Sequence, residues 1–352
     1  MKSKYMNYLW YLLVLVVVLL PLVTFQMPAC GETNTWLMGP KAISRIAGAG
    51  TMVTKVFLAL IQLGTLLTSG MLFRKVFESK EGAFFATLFY MTLPYRHYLL
   101  YDAGMWARAM ALMLLPLFVR LLISVYTVEK RQIWKWTLAA GAVFAAVAYS
   151  DWVVGVLLAD VVLVSALWYR KARGLAPLVP GLVLYLPDAG KLLQYFFVGG
   201  LEEYQLPLGS IMENGYRFGR FLTSFMYKEG LPGIGLGLLG ALVLLVGLAY
   251  VGENFHWEKK CTFPAVVAGV MMILSLAVFP WDLVQRLGMP FVRMVGLVVS
   301  PAVFFGFAGL PLSMLGGAGV EAFGKAETDK VKFVQILLIL ASLGASIYMA
   351  VA

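Results

Sequence analysis

The residues able to do chemistry crowd into one short stretch. Between Leu93 and Arg108 lie Tyr95, Arg96, His97, Tyr98, Tyr101, Asp102 and Arg108, with long apolar runs on either side. A second acid, Asp151, stands in the tip Ser150-Asp151-Trp152 between two further apolar runs. Together these residue types suit an outward-facing pocket in which a carboxylate moves a proton and cations hold a phosphate. Arginine fits that second task because its planar fork engages two phosphate oxygens at once. The plain alternative is an interfacial salt-bridge network that orders the loop. His97 and His256 are the only histidines, fall on opposite sides of the proposed topology, and no His/Cys spacing of a zinc site occurs. No cofactor motif is legible, although Glu32, Asp102 and Asp151 leave room for a hard divalent cation.

The elements that must position these side chains follow from composition. Apolar residues make up 61% of the 352 and charged residues 13%, so little polar surface is left to face water. Several windows stay apolar for the roughly 20 residues that cross a bilayer, and in lipid such runs satisfy their backbone only as helices. The alternation of a transmembrane barrel is absent. The net charge of +10 is spread over short Lys/Arg clusters between apolar runs, the positive-inside pattern, and forms no basic patch that would read nucleic acid.

Taken in order, the apolar runs predict helices at about 8–23, 53–73, 82–93, 106–125, 136–149, 153–169, 175–186, 233–251, 262–279, 294–312 and 333–351. This is an all-α polytopic membrane protein of about eleven helices, a single transmembrane domain over 1–352. Its outer loops fall at about 25–52 and 187–232, and the aromatic content of the second predicts interfacial helices. Lys2 and Lys4, then Arg74, Lys75 and Lys80, then Lys130, Arg131 and Lys135, place the N-terminus in the cytoplasm and the C-terminus outside. The first run carries no small-x-small cleavage site and reads as an uncleaved helix. Cys30 and Cys261 fall on opposite sides, so no disulfide is expected. The third and fifth helices look too short to span, which would leave their polar tips slightly below the outer surface.

Other features have plainer readings. Asp160, near the middle of the sixth helix, is either a proton or ion relay or an acceptor for a neighbouring helix. Gly235-x-Gly237-x-x-Gly240 has the letters of a dinucleotide fingerprint, but no strand precedes it and close helix packing accounts for it. Tryptophans near helix ends, including Trp106, Trp134, Trp168 and Trp281, read mostly as interface anchors.

Several motifs add a resemblance. Tyr101-Asp102 followed by Arg108-x-x-Ala111 and Leu114-Leu115-Pro116-Leu117 resembles a segment of YfhO-like and pterin-synthase-related bacterial membrane proteins, members of the GT-C superfamily of polytopic glycosyltransferases. Tyr149-Ser150-Asp151 stands where that group has a Ser-His-Asn-like tip. Phe279-Pro280-Trp281-Asp282 and Pro290-Phe291-Val292-Arg293 resemble its late Pro-Trp-Asp and Phe-Pro-Trp-Arg motifs. The likeness spans about 82–312, and it departs from the group's Arg-Gly-x-x-x-Glu pattern in having Arg108 at the glutamate position. It implies a GT-C-like fold and transfer of a sugar from a polyprenyl-phosphate donor to a cell-envelope acceptor at the outer face. It further implies Glu32 or Asp102 as the base, and Arg96, Arg108 and Arg293 on the lipid phosphate. Asp151, His97, Tyr101 and Asp282 complete the expected site. The rival expectation is a non-catalytic transporter or flippase, or an assembly partner for lipid-linked intermediates; the oligomeric state stays open.

Overall fold

The structure is a computed structural model, and it describes residues 51–102, 104–198, 259–281, 283 and 302–325, with Leu12, Leu19 and Leu22 besides. Among the described residues every extended element is helical. The main helices are α1 (Thr51–Val76), α2 (Lys80–Met91), α3 (Pro94–His97), α4 (Trp106–Thr127), α5 (Ile133–Ser150), α6 (Trp152–Trp168), α7 (Leu178–Val198), α8 (Lys259–Ser275) and α9 (Ala302–Lys325). Three stretches, Thr51–Val76, Trp106–Thr127 and Val303–Glu321, are long and apolar enough to cross a membrane.

The outward faces carry the same message. On α1 the buried positions Leu58, Ile61, Gln62, Thr65, Ser69 and Leu72 recur at helical spacing. The opposite face, Val56, Leu60, Leu63, Leu67 and Met71, is exposed and wholly apolar. A helix washed by water would not bury Gln62, Thr65 and Ser69 while exposing a wholly apolar face, an arrangement that suits hydrocarbon. The inward hydroxyls are answered. Thr65 and Ser69 donate to carbonyls one turn back, and Thr68 donates across to the Met113 carbonyl of α4 at 2.7 Å.

Helix α1 packs on α2 and α4; α4 packs on α5, which also packs on α6 and α7; α9 packs on α2 and α8. The α2–α9 contact is close because two glycines meet: a Cβ on Gly82 would lie 2.8 Å from the Gly317 carbonyl oxygen, and one on Gly317 would lie 2.8 Å from that of Gly82. At the start of α2 the Ser79 hydroxyl caps the helix by accepting from the Gly82 amide at 2.9 Å.

Some boundaries differ from those expected. Helix α5 extends beyond 136–149 at both ends, because Trp134 and Lys135 are tolerated on an exposed first turn. Helix α7 continues through Pro187 to Val198, so the first residues assigned to the outer loop 187–232 are helical. Helix α9 runs on past Leu312 to Lys325, and Gly317 in that extension meets Gly82 of α2 at close range. Trp106 and Trp281 are buried rather than interfacial, Trp281 stacking on Phe304 with its Nε1 donating to the Leu274 carbonyl, whereas Trp134 and Trp168 are exposed. Asp160 lies on the exposed side of α6. Cys261 is a free thiol, and Cys30 lies outside the described residues.

Candidate functional site

Helix α2 has 12 residues, about 18 Å at the rise of an α-helix, and ends with Thr92 as its C-cap. The chain then winds through α3 and a π-helical turn, Tyr98–Asp102, before Gly104 turns it into α4. Gly104 has φ 61°, a left-handed conformation that favours glycine. Trp106 pins this turn: its Nε1 donates to the Leu100 carbonyl at 2.9 Å, and its ring meets Phe57 of α1 edge-on at 6.3 Å. On the far side Tyr95 fits over Gly306 of α9, where a Cβ would collide with its ring.

The turn carries Arg96 deep into the bundle. Its Nη2 donates to the Thr65 hydroxyl at 2.6 Å, eight residues along α1 from the Phe57 that meets Trp106, roughly 12 Å of helix rise. Non-helical backbone at such depth is tolerated where it is enclosed by protein or lines a wet cavity. Arg96 is 1% exposed. Its guanidinium carbon lies 5.0 Å from the Tyr90 ring centroid, and the Tyr90 hydroxyl, which donates to the Leu112 carbonyl at 2.6 Å, also faces the Arg96 guanidinium. Among the described residues Arg96 Nε and Nη1 have no hydrogen-bond partner.

Gln62 lies one turn before Thr65 on the same face of α1 and is fully buried. Its Nε2 donates to the Tyr101 hydroxyl at 3.3 Å, while its Oε1 has no partner among the described residues. His97 leans on Tyr101 with ring centroids 5.6 Å apart. A buried donor left unanswered costs about 1–3 kcal/mol, more on a charged group, and one aromatic face returns only about 2 kcal/mol.

The second polar tip comes to the same region but is closed. Arg108, in the first turn of α4, donates from Nε to Asp151 Oδ2 at 2.6 Å, with side-chain exposures of 7% and 0%. The other Asp151 oxygen accepts the backbone amides of Val153 at 3.0 Å and Val154 at 3.2 Å, capping α6. The Tyr95 hydroxyl also faces Arg108.

The structure thus brings Arg96, Tyr101 and His97 together, and joins Arg108 to Asp151. It places Asp102 in the π-helical turn, its side chain outside what is described. Glu32, Asp282 and Arg293 lie outside the described residues. Gln62, Thr65 and Tyr90 were not anticipated; the signal was available in Thr54, Gln62, Thr65 and Ser69, polar residues recurring at helical spacing along a largely apolar run. Among the described residues no three His, Cys, Asp or Glu side chains converge. No protein-family model, curated protein or solved structure matches this chain.

Proposed function

We propose that this chain is a multi-pass membrane protein of GT-C-like type, with about eleven helices and its N-terminus in the cytoplasm, that transfers a sugar from a polyprenyl-phosphate donor to a cell-envelope acceptor at the outer face. What supports the reading is Arg96, a fully buried guanidinium two of whose nitrogens have no hydrogen-bond partner among the described residues. A cation held in this state at membrane depth suits a lipid-borne phosphate, which brings the missing charge and two acceptor oxygens.

In this reaction a carboxylate, Glu32 or Asp102 by the family resemblance, removes the proton of an acceptor hydroxyl. The resulting oxygen attacks the anomeric carbon, the bond from that carbon to the phosphate oxygen breaks, and the electron pair leaves with the polyprenyl phosphate. Arg96 stabilises the departing phosphate, with Arg293 as its companion. Arg108 and Asp151 position the turn that carries Arg96, since their own charges answer each other.

That closed pair favours a second reading, in which the chain binds the lipid phosphate without chemistry, as a carrier or assembly partner. Both are tested with full-length chain in phosphatidylcholine nanodiscs, a radiolabelled sugar on a short prenyl phosphate, and cell-envelope material as acceptor. Transfer of label by wild type and its loss in Arg96→Met supports the transferase. Binding without transfer supports the second reading. Equal binding to wild type and Arg96→Met overturns both.

A further inference from the structure

The end of α1 away from the Arg96 turn carries a second, separate set of cations, and this set is open to the outside. Lys75, in the last turn of α1, faces Arg120 of α4 across the contact between the two helices. The Lys75 ammonium donates to the Ser124 hydroxyl at 2.5 Å and stands 6.0 Å from the centroid of the Trp136 ring of α5. Ser124 spends its own proton on the Arg120 carbonyl at 3.1 Å, so it tethers the ammonium and brings no countercharge. Arg120 Nη1 donates to the Met71 sulfur of α1 at 3.1 Å, a weak acceptor. Among the described residues neither cation is paired with a carboxylate. Lys75 is exposed and Arg120 partly so. Beside them runs the apolar outer stripe of α1. Met71, which Arg120 touches, is exposed, and so are Leu67, Leu63 and Leu60 at helical spacing. From Met71 back to Leu60 the stripe extends about 16 Å along the helix, which matches one leaflet's share of a hydrocarbon core about 30 Å thick.

We propose that Lys75 and Arg120 form the headgroup site of an anionic phospholipid, its phosphate between the two cations and one acyl chain along Met71, Leu67, Leu63 and Leu60. Two like charges turned toward each other repel, and a phosphate placed between them removes that repulsion and accepts from both. Basic side chains between membrane helices hold anionic headgroups in this way, and Trp136 beside Lys75 suits the same headgroup level. A zwitterionic head fits less well, because its ammonium returns a positive charge to a site that already holds two. The occupant is a lipid and not a free phosphate, because the cations stand at the end of a stripe as long as an acyl chain. Bound there, the lipid ties α1 to α4 and stabilises the fold by linkage. The proposal is independent of the sugar-transfer reading.

The test uses delipidated full-length chain in maltoside micelles, with native mass spectrometry to count bound lipid and thermal unfolding to read stabilisation. The probes are dioleoyl phosphatidylglycerol, dioleoyl phosphatidylcholine and glycerophosphoglycerol, the first lipid's deacylated headgroup. Wild type binds phosphatidylglycerol about tenfold or more tighter than phosphatidylcholine and unfolds at a higher temperature with it, while the deacylated headgroup does neither. Lys75→Met and Arg120→Met each weaken phosphatidylglycerol about fivefold, the worth of one basic side chain against an anionic headgroup, and Lys75→Arg restores it. Arg131→Met and Lys171→Met remove exposed cations from loops at the same end and leave its affinity unchanged. The comparison of probes on wild type needs no substitution, so a variant that fails to fold does not shelter the proposal. Equal binding of the two lipids overturns it, because the headgroup charge then decides nothing. Stabilisation by glycerophosphoglycerol equal to that by the intact lipid overturns the lipid as occupant. Losses at Arg131 and Lys171 as large as those at Lys75 and Arg120 overturn the site, leaving a diffuse basic surface in its place.

Discussion

Two arginines of the same hairpin, Arg96 and Arg108, are both buried and yet stand in opposite conditions. Arg108 has its countercharge supplied by the chain: Asp151 lies 2.6 Å away, and that carboxylate is in turn fixed by two backbone amides at the start of α6. Arg96 has a hydroxyl and an aromatic face, and two of its nitrogens are unanswered among the described residues. Burial therefore does not identify a functional cation in a membrane protein. The distinguishing mark is whether the fold itself completes the group's hydrogen bonds. By that mark the Arg108 region holds the hairpins together, and the Arg96 region is where the proposed phosphate site rests.

The largest effect expected from this contrast is on stability at the closed pair. Asp151→Ala leaves Arg108 buried without a countercharge, a loss of about 3–5 kcal/mol, and removes the α6 cap for roughly 1 more. Asp151→Asn keeps the cap and recovers only that smaller part. The double variant Arg108→Met with Asp151→Asn regains most of the loss, because no uncompensated charge is left behind. Denaturant unfolding in bicelles measures all three. If Asp151→Ala unfolds like wild type, the pair is not what joins the two tips.

At Arg96 the contrast reverses sign. Arg96→Met removes a charge that the fold does not satisfy, so stability stays within about 1 kcal/mol of wild type or rises. Affinity for a prenyl phosphate falls roughly 100-fold, the worth of one to two charge-assisted hydrogen bonds. The same unfolding assay paired with nanodisc binding separates the two outcomes. A destabilisation as large as that of Asp151→Ala would make the two arginines alike and remove the basis for the proposed site.

The third effect concerns how the Arg96 turn is seated. Gly306 of α9 is the floor on which the Tyr95 ring rests, and a methyl there collides with it. Gly306→Ala is expected to cost about 1–3 kcal/mol as overpacking. Because Tyr95 also faces Arg108, the variant should loosen both regions. Gly269→Ala on α8, where a Cβ meets nothing within 4 Å, is the control and should cost nothing measurable.

Much of this was legible in the sequence, and the reasons it stopped are physical. Helices near 53–73, 106–125 and 153–169 follow from apolar runs with basic ends, and α1, α4 and α6 lie there within a few residues. The short third helix and its polar turn were legible too, since a mostly apolar run of about a dozen residues from Gly82, followed by Arg96, His97 and Asp102, is too short to cross hydrocarbon. Hydropathy does not say which face of a helix turns inward, so Gln62 and Thr65 passed as ordinary positions within an apolar run. Nor does it separate a glycine that ends a helix from one that lets two helices touch, and α9 runs through Gly317 where the expected helix ended at Leu312. The pairing of Arg108 with Asp151 joins residues 43 apart, and no local pattern announces it.

The smallest effect is also the one that separates the two regions most cleanly. Trp106 donates its indole N–H to the Leu100 carbonyl at 2.9 Å, so it fastens the π-helical turn to the first residue of α4. Trp106→Phe keeps the edge-on contact with Phe57 and loses that hydrogen bond, for about 1 kcal/mol. Arg108 lies on the same side of the break as α4 and keeps Asp151, whereas Arg96 lies beyond it on the loosened turn. The variant should therefore leave the Asp151→Ala penalty unchanged in a double-mutant cycle, while prenyl phosphate affinity drops about three- to tenfold. Coupling of Trp106 to Asp151 instead of to ligand binding would mean that the turn is held from the ion pair, and that Arg96 is positioned by the closed region after all.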